Sequence, residues 1–127
     1  MSKKIIYTSK APEPIGPYSQ ATYIGNTLYV SGQIAIDPAT GQLLSLTIEK
    51  ETQQVLFNLR AILDAAGLNF THVVKCSIFL TDLKNFPLVN SVYGEYFTEN
   101  PPARETVEVS KLPKDANVEI SLIAVKD

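Results

Sequence analysis

The chain has 127 residues, the size of a single domain (residues 1–127) that can bury a substantial core. Its formal net charge is −2 and its basic residues are scattered, which excludes the concentrated positive surface of a typical nucleic-acid-binding protein. One cysteine and one histidine cannot supply an internal disulfide or a structural zinc site, so we expect no metal.

The N-terminal third predicts three strands. Lys3–Ser9 forms the first, and Ala21–Ile24 and Thr27–Ile34 form the next two, joined by the two-residue hairpin signal Gly25-Asn26. Gly32 lies inside the third strand, where it indicates either a bulge or the close approach of another backbone or a ligand.

An irregular loop separates the first two strands. Ala11–Gln20 contains three prolines and a glycine, which rule out a helix or a central strand. Such a loop either carries function or is a rigid connector in which Tyr18 is a packed anchor.

Two amphipathic helices follow. The first is predicted over Thr47–Ala66, with Thr47 as its N-cap and Gly67 beyond its C-terminus. Its apolar stripe predicts one buried face: Val55, Leu56, Leu59, Ile62, Leu63 and Ala66. The second begins near Asn85 or Phe86. The residues predicted to face the core from there are Phe86, Val89, Tyr93, Tyr96 and Phe97, and Asn90 lies on the flank, either solvated or reaching toward a site.

A central strand is predicted between the helices, at His72–Leu80, because both of its faces are largely apolar. Cys76 in this strand is predicted to be a packed thiol and not a nucleophile. His72 has no partner nearby in sequence and is expected to be structural or solvated.

The C-terminal part predicts two more strands. After Pro101-Pro102, alternation places Arg104, Thr106 and Glu108 on one face, and Val107 and Val109 on the other, which we interpret as the core face. The guanidinium of Arg104 either pairs with a neighbouring acid in solvent or binds a carboxylate through two parallel hydrogen bonds. In the last strand, Asn117–Val125, Glu119 projects opposite the apolar row.

These elements predict an α+β fold, with two helices covering one face of a mixed six-stranded sheet. The other face carries Tyr29, Phe79, Ile123 and Val125, an apolar patch that we expect self-association to cover. Without a transmembrane run of about 18 apolar residues or a signal-peptide segment, we expect a cytoplasmic protein without membrane or nucleic-acid partners.

Several short motifs in register resemble the RidA (YjgF/YER057c/UK) family of reactive-intermediate deaminases. They are the segments 15–21 (IGPYSQA), 30–34 (VSGQI), 65–67 (AAG), 79–82 (FLTD), 89–93 (VNSVY), 102–104 (PAR) and 107–114 (VEVSKLPK). The resemblance implies a chorismate-mutase-like fold and a homotrimer with sites between subunits. It also implies cofactor-free hydrolysis of 2-imino acids, such as 2-iminobutanoate and 2-iminopropanoate, to 2-oxo acids and ammonia.

The resemblance also assigns roles to individual residues. Arg104 would bind the substrate carboxylate, Glu119 would position the attacking water, and Tyr18 would hydrogen-bond substrate or water. The positions expected to line the pocket are Ser31, Gly32, Asn90 and Thr106. One residue departs from the family pattern, since Glu105 stands where a small residue is common; alternation points it away from Arg104, as a solvated or interface carboxylate.

Two other functions remain open. The first is a non-catalytic small-ligand-binding module with a regulatory or chaperone-like role, which needs Arg104 but not Glu119. The second is a ribonuclease, which the acidic charge balance disfavours.

Overall fold

The computed structural model describes residues 2–44 and 47–127. Within these residues, two α-helices and six strands form in the predicted order: β1 (Lys4–Ile6), β2 (Ala21–Ile24), β3 (Thr27–Gln33), α1 (Ile48–Ala65), β4 (Val73–Leu80), α2 (Phe86–Gly94), β5 (Ala103–Glu108) and β6 (Val118–Val125).

The six strands form one mixed sheet in the order β1-β2-β3-β6-β4-β5. Neighbouring strands are antiparallel except β4 and β5, which run parallel and are joined through α2. The α+β architecture with a mixed six-stranded sheet and two helices is therefore confirmed. β5 is an edge strand, so one side of it has no strand partner among the described residues.

Both helices pack on the same face of the sheet. α1 starts at its predicted cap, since the Thr47 side chain accepts a hydrogen bond from the Lys50 amide, and it ends before Gly67, whose φ of +77° is the left-handed conformation that glycine adopts easily. The core between helices and sheet contains the predicted stripe of α1 and alternate residues of β6, among them Leu56, Ile62, Ile120 and Leu122.

The second helix is shorter than the apolar spacing predicted. It contains Pro87 in its first turn, as expected, but ends at Gly94, so Tyr96 and Phe97 lie in the turn that follows. Both rings still pack edge-on against Phe70 and stay with the core. The apolar spacing therefore reports which side chains are buried better than it reports where the helix ends.

The assignment of the core face of β5 was wrong. Arg104 pairs with Cys76 and Thr106 with Ile78, and both of these β4 side chains are buried beneath the helices. Paired residues of neighbouring strands project to the same side, so Arg104 and Thr106 lie on the helix side of the sheet. Val107 lies on the open face and is 40% exposed.

The open face otherwise carries the predicted residues. Tyr29 is exposed, and Ile123 and Val125 are partly exposed beside it. Phe79 is the exception, because it packs against a small second core cluster that includes Ile34 and Leu112. The structure therefore retains an uncovered apolar strip across β3 and β6.

Candidate functional site

A cavity of about 150 Å³ brings together three of the predicted site residues, Tyr18, Gly32 and Glu119. The rest of its lining comes from the 11–20 loop, the end of β3 and the turn before β6. Five of these residues are apolar (Pro12, Ile15, Ile34, Ile36 and Pro113) and three are polar (Glu13, Gln20 and Gln33). An apolar pocket with few polar groups is the usual form of a small-molecule site.

The irregular loop is held in place by Gln20, a residue that the sequence analysis did not single out. The Gln20 side chain is buried; its amide donates to the carbonyls of Thr8 (3.0 Å) and Pro12 (2.9 Å), and its oxygen accepts from the Thr8 amide (2.8 Å). These bonds replace the missing regular backbone pairing. Tyr18, half exposed in this loop, is thereby fixed at the cavity.

Gly32 and Glu119 lie close together in the lining of the cavity. The pairing of β3 with β6 shifts by one residue between Val30 and Gln33, so the predicted bulge is confirmed. A Cβ built on Gly32 would lie 2.7 Å from Oε2 of Glu119, closer than a real side chain tolerates. Partial burial raises the pKa of the Glu119 carboxyl above its ordinary value.

Ser31 lies next to this cavity and not in its lining. Its hydroxyl donates to the main-chain carbonyl of Ser19 over 2.7 Å, and its amide donates to the Gln20 carbonyl. Within one chain Ser31 therefore ties the loop to β3.

Arg104 lies in a different place, at the edge of the sheet beside α2. Its guanidinium donates from Nη1 to Oδ1 of Asn90 (2.8 Å), and its Cζ lies 4.9 Å from the ring centroid of Tyr93 and 5.3 Å from that of Phe86. Two rings and one amide thus fix the plane of the guanidinium. Asn90 is exposed on the flank of α2 and bonds to Arg104. Of the two predicted alternatives, solvated or reaching toward a site, the second is therefore the one observed.

The buried hydroxyl of Thr106 has no hydrogen-bond partner among the described residues, and that of Tyr93 lies beside the Cys76 thiol. Burial, with the neighbouring Cys76, raises the pKa of Tyr93 above its ordinary value. Cys76 is 1% exposed, so the prediction of a packed thiol is confirmed, and burial raises the pKa of this thiol to about 11.

His72 and Glu105 have local partners. The His72 ring nitrogen Nδ1 accepts from the Asn69 amide (3.0 Å), a capping role that fits the structural expectation. Glu105 points to the open face, away from Arg104 as predicted; it binds the Ser77 hydroxyl and pairs with Lys75 at 2.9 Å. The Ser77 hydrogen bond and the Lys75 contacts hold the pKa of Glu105 below its ordinary value.

The site residues therefore form two separate groups. Tyr18, Gly32 and Glu119 lie at one cavity, and Arg104 with Asn90 lies at another surface beside α2. Glu119 pairs with Phe79 on the open face, whereas Arg104 is on the helix side. One chain alone does not bring the guanidinium and this carboxylate to the same small molecule.

Within residues 2–44 and 47–127, no group of three or more histidine, cysteine, aspartate or glutamate side chains is placed to hold a metal ion. Of the helices described, none has both the length and the apolar character to cross a membrane.

Comparison with known proteins gives consistent matches over the whole chain. Residues 8–126 match the family described as endoribonuclease L-PSP. A RutC family protein of Pyrococcus abyssi is 50% identical over 127 residues, covering all of both chains. A Bos taurus protein named 2-iminobutanoate/2-iminopropanoate deaminase is 49% identical over 124 residues, 98% of this chain and 90% of the relative. The crystal structure of E. coli TdcF with bound serine has a TM-score of 0.93 at 39% identity, covering 98% of this chain and 99% of that one.

Proposed function

Because this chain belongs to the endoribonuclease L-PSP family, which is also the RidA/YjgF family, we propose that it hydrolyses 2-imino acids to 2-oxo acids and ammonia. The substrates proposed are small, with 2-iminobutanoate and 2-iminopropanoate as the reference compounds. The name of the bovine relative and the serine bound to TdcF support a small amino-acid-like ligand. The observation that carries the proposal is a guanidinium whose plane is held by two rings and an amide, in a chain that also places a half-buried carboxylate at a small cavity.

Arg104 binds the substrate carboxylate. Asn90 already occupies Nη1, and the rings of Phe86 and Tyr93 hold the guanidinium plane, so the remaining donors face a ligand in a fixed orientation. The substrate is thus fixed at its carboxylate end, while its imine carbon extends toward the second group of residues.

Glu119 positions the attacking water. The ionised carboxylate accepts a hydrogen bond from the water, and the oxygen adds to the imine carbon as a proton passes to Glu119. Glu119 passes that proton to the imine nitrogen, which gives a carbinolamine. The carbinolamine hydroxyl then loses its proton, through Glu119, to the amino nitrogen, the carbon–nitrogen bond breaks, and ammonia and the 2-oxo acid leave. Tyr18, at the same cavity, hydrogen-bonds substrate or water. No electron transfer is involved, so the reaction needs no cofactor.

The active site forms between two copies of the chain, in a homotrimer. The separation of Arg104 from Glu119 on opposite sides of the sheet supports this, because a second copy must supply the missing half. The open sheet face with exposed Tyr29 and partly exposed Ile123 is an apolar surface suited to self-association. Ser31, Gly32, Asn90 and Thr106 then line the completed pocket.

A direct assay tests this function. A pyridoxal-phosphate-dependent threonine dehydratase generates 2-iminobutanoate in situ, and semicarbazide traps what remains of it. We expect the wild-type protein to accelerate loss of the imine, and Arg104→Ala and Glu119→Gln to lose most of this effect. A wild-type protein that matches the buffer blank would refute the deaminase function.

Ribonuclease activity is the second candidate, favoured only by the description of the matched family. The net charge of −2 gives no basic surface for RNA. If the protein were a ribonuclease, its RNA cleavage would fall steeply with added salt, because RNA binding would depend on phosphate contacts. The cleavage would also survive in Glu119→Gln, because it would not depend on the carboxylate that positions water for the imine.

A further inference from the structure

Helix α1 carries three buried polar side chains, of which Thr52 bonds within the helix and Glu51 and Asn58 bond to groups outside it. Glu51 is 2% exposed and Asn58 is 1% exposed, although both residue types are usually found at the surface. They are seven residues apart, two helical turns, and so lie on the same side of the helix. Burying polar groups in this way is unfavourable unless each finds partners.

Glu51 finds its partners at the start of β6. One carboxylate oxygen accepts from the main-chain amides of Asn117 (2.8 Å) and Val118 (3.2 Å), and the other accepts from the Asn117 side-chain amide (2.9 Å). Glu119 is the next residue along the chain. The Glu51 carboxylate therefore fixes the backbone from which the cavity carboxylate projects.

Asn58 finds its partners just beyond the end of β3. Its side-chain amide donates to the main-chain carbonyls of Ile34 (3.1 Å) and Ile36 (2.9 Å), and its oxygen accepts from the Gln54 amide (3.0 Å). Ile34 and Ile36 both line the cavity opposite the turn that leads to β6. Gln54 orients the Asn58 amide so that both of its hydrogens face the two carbonyls.

We propose that Glu51 and Asn58 are positioning residues that hold the two walls of the cavity around Glu119. Neither touches the cavity itself; each acts through the main chain of a wall. Gly32 and Glu119 lie too close together for even a methyl group to fit between them, so we expect a shift of either wall to displace the carboxylate and the water that it holds. This inference rests on the proposed function only in taking Glu119 as the group that places water.

Thr52 provides a matched control on the same helix. Its side chain is fully buried, but its hydroxyl bonds only to the Ile48 carbonyl of its own helix (2.8 Å). Thr52→Val removes a buried hydrogen bond without touching a cavity wall. Asn58→Leu removes buried hydrogen bonds that do hold a wall.

The test compares kcat, KM and melting temperature for wild type, Asn58→Leu and Thr52→Val. We expect both variants to melt at lower temperatures, but only Asn58→Leu to lose about tenfold to hundredfold in kcat, with KM changed by less than about twofold. KM should change little because Arg104, which binds the substrate carboxylate, lies on β5 beside α2 and not on the walls held by Asn58. Equal kcat values for the two folded variants would overturn the proposal.

Glu51 supplies an independent comparison if Asn58→Leu does not fold. Glu51→Gln keeps an oxygen that accepts from both main-chain amides, and the Asn117 amide can rotate to meet the new donor, so we expect near-wild-type kcat. Glu51→Ala loses all three bonds and should lower kcat; an equal loss in both variants would contradict positioning through these bonds.

Crystal structures of the same variants test the positioning role of Glu51 and Asn58 without any measurement of activity. The proposal requires the Glu119 carboxylate to move away from Gly32 in Asn58→Leu or Glu51→Ala and to stay in Thr52→Val. An unmoved carboxylate would refute the positioning role even in an active enzyme. A moved carboxylate in a protein whose wild type is inactive would refute the deaminase function alone.

Discussion

Arg104 and Glu119 project from opposite faces of one sheet, although their strands are separated only by β4. Arg104 lies under the edge of α2 with Asn90, and Glu119 lies at the cavity with Tyr18. One chain therefore presents the guanidinium and the carboxylate at two different surfaces.

Loss of the Arg104 guanidinium should weaken substrate binding. We expect Arg104→Ala to lower kcat/KM for 2-iminobutanoate by about 30-fold to 100-fold, mainly through KM, because a charged hydrogen-bonded pair is removed. Arg60→Ala is the matched control: Arg60 also stacks on two rings, at 5.2 and 5.6 Å from Phe57 and Tyr96, but on the outer side of α1. An equal loss of kcat/KM in both variants would argue against binding of the substrate carboxylate by Arg104.

The acid limb of the pH–rate profile should report Glu119. Burial raises the pKa of this carboxyl above 4.5, and the ionised form is the one that accepts the water proton. We expect kcat/KM to fall as the pH drops through this raised pKa, and Glu119→Gln to lose about a hundredfold in kcat together with this limb. An acid limb that is unchanged in Glu119→Gln would assign it to another group.

The same pKa makes a prediction about stability. A carboxyl whose pKa is raised on folding favours the protonated folded state, so ionisation destabilises the fold as the pH rises from 4.5 through the raised pKa. Glu119→Gln should therefore gain stability relative to wild type at pH 7, and the gain should shrink toward pH 4. Thermal melts across this range measure it; a gain that grows toward low pH would show the opposite shift.

A methyl group at position 32 should reduce activity more than it reduces stability. Gly32→Ala places a carbon 2.7 Å from Oε2 of Glu119, and the carboxylate must move because the glycine lies in the backbone of β3. We expect a loss of about tenfold or more in kcat, since displacement of a catalytic group is costly to orientation. Full activity in this variant would show that Glu119 need not keep its present position.

The Cys76 thiol should resist alkylation in the folded protein. With 1% exposure and a pKa of about 11, about one molecule in ten thousand carries the thiolate at pH 7. Iodoacetamide at pH 7 should leave the native protein unmodified by mass spectrometry and should modify it rapidly in guanidinium chloride. Rapid labelling of the native protein would contradict the prediction that Cys76 is not a nucleophile.

The alternation of β6 predicted correctly that Glu119 leaves the apolar row, because β6 is central and its two faces differ sharply. The same rule failed at β5. Val107 suggested a core face, but β5 is an edge strand, and its register with β4 places Arg104 on the helix side, where α2 leaves room for it. Alternation determines which residues share a face, whereas pairing determines which face is covered.

The polar residues that support the site gave no signal of comparable strength. Gln20, Glu51 and Asn58 are buried, and each satisfies main-chain groups distant in sequence. In the chain they look like ordinary polar residues of a loop and a helix. Their role depends on which backbone groups the fold leaves without a partner, and single-sequence periodicity does not contain that information.

Subunit mixing tests most directly whether two copies build each site. Arg104→Ala and Glu119→Gln proteins, each nearly inactive alone, are unfolded together and refolded as a 1:1 mixture, with each variant refolded separately as the control. Random assembly into rings restores about a quarter of the sites, those that draw Arg104 from one copy and Glu119 from the other, so about a quarter of wild-type activity should return. A refolded mixture that forms mixed oligomers yet stays as inactive as its components would contradict a shared site.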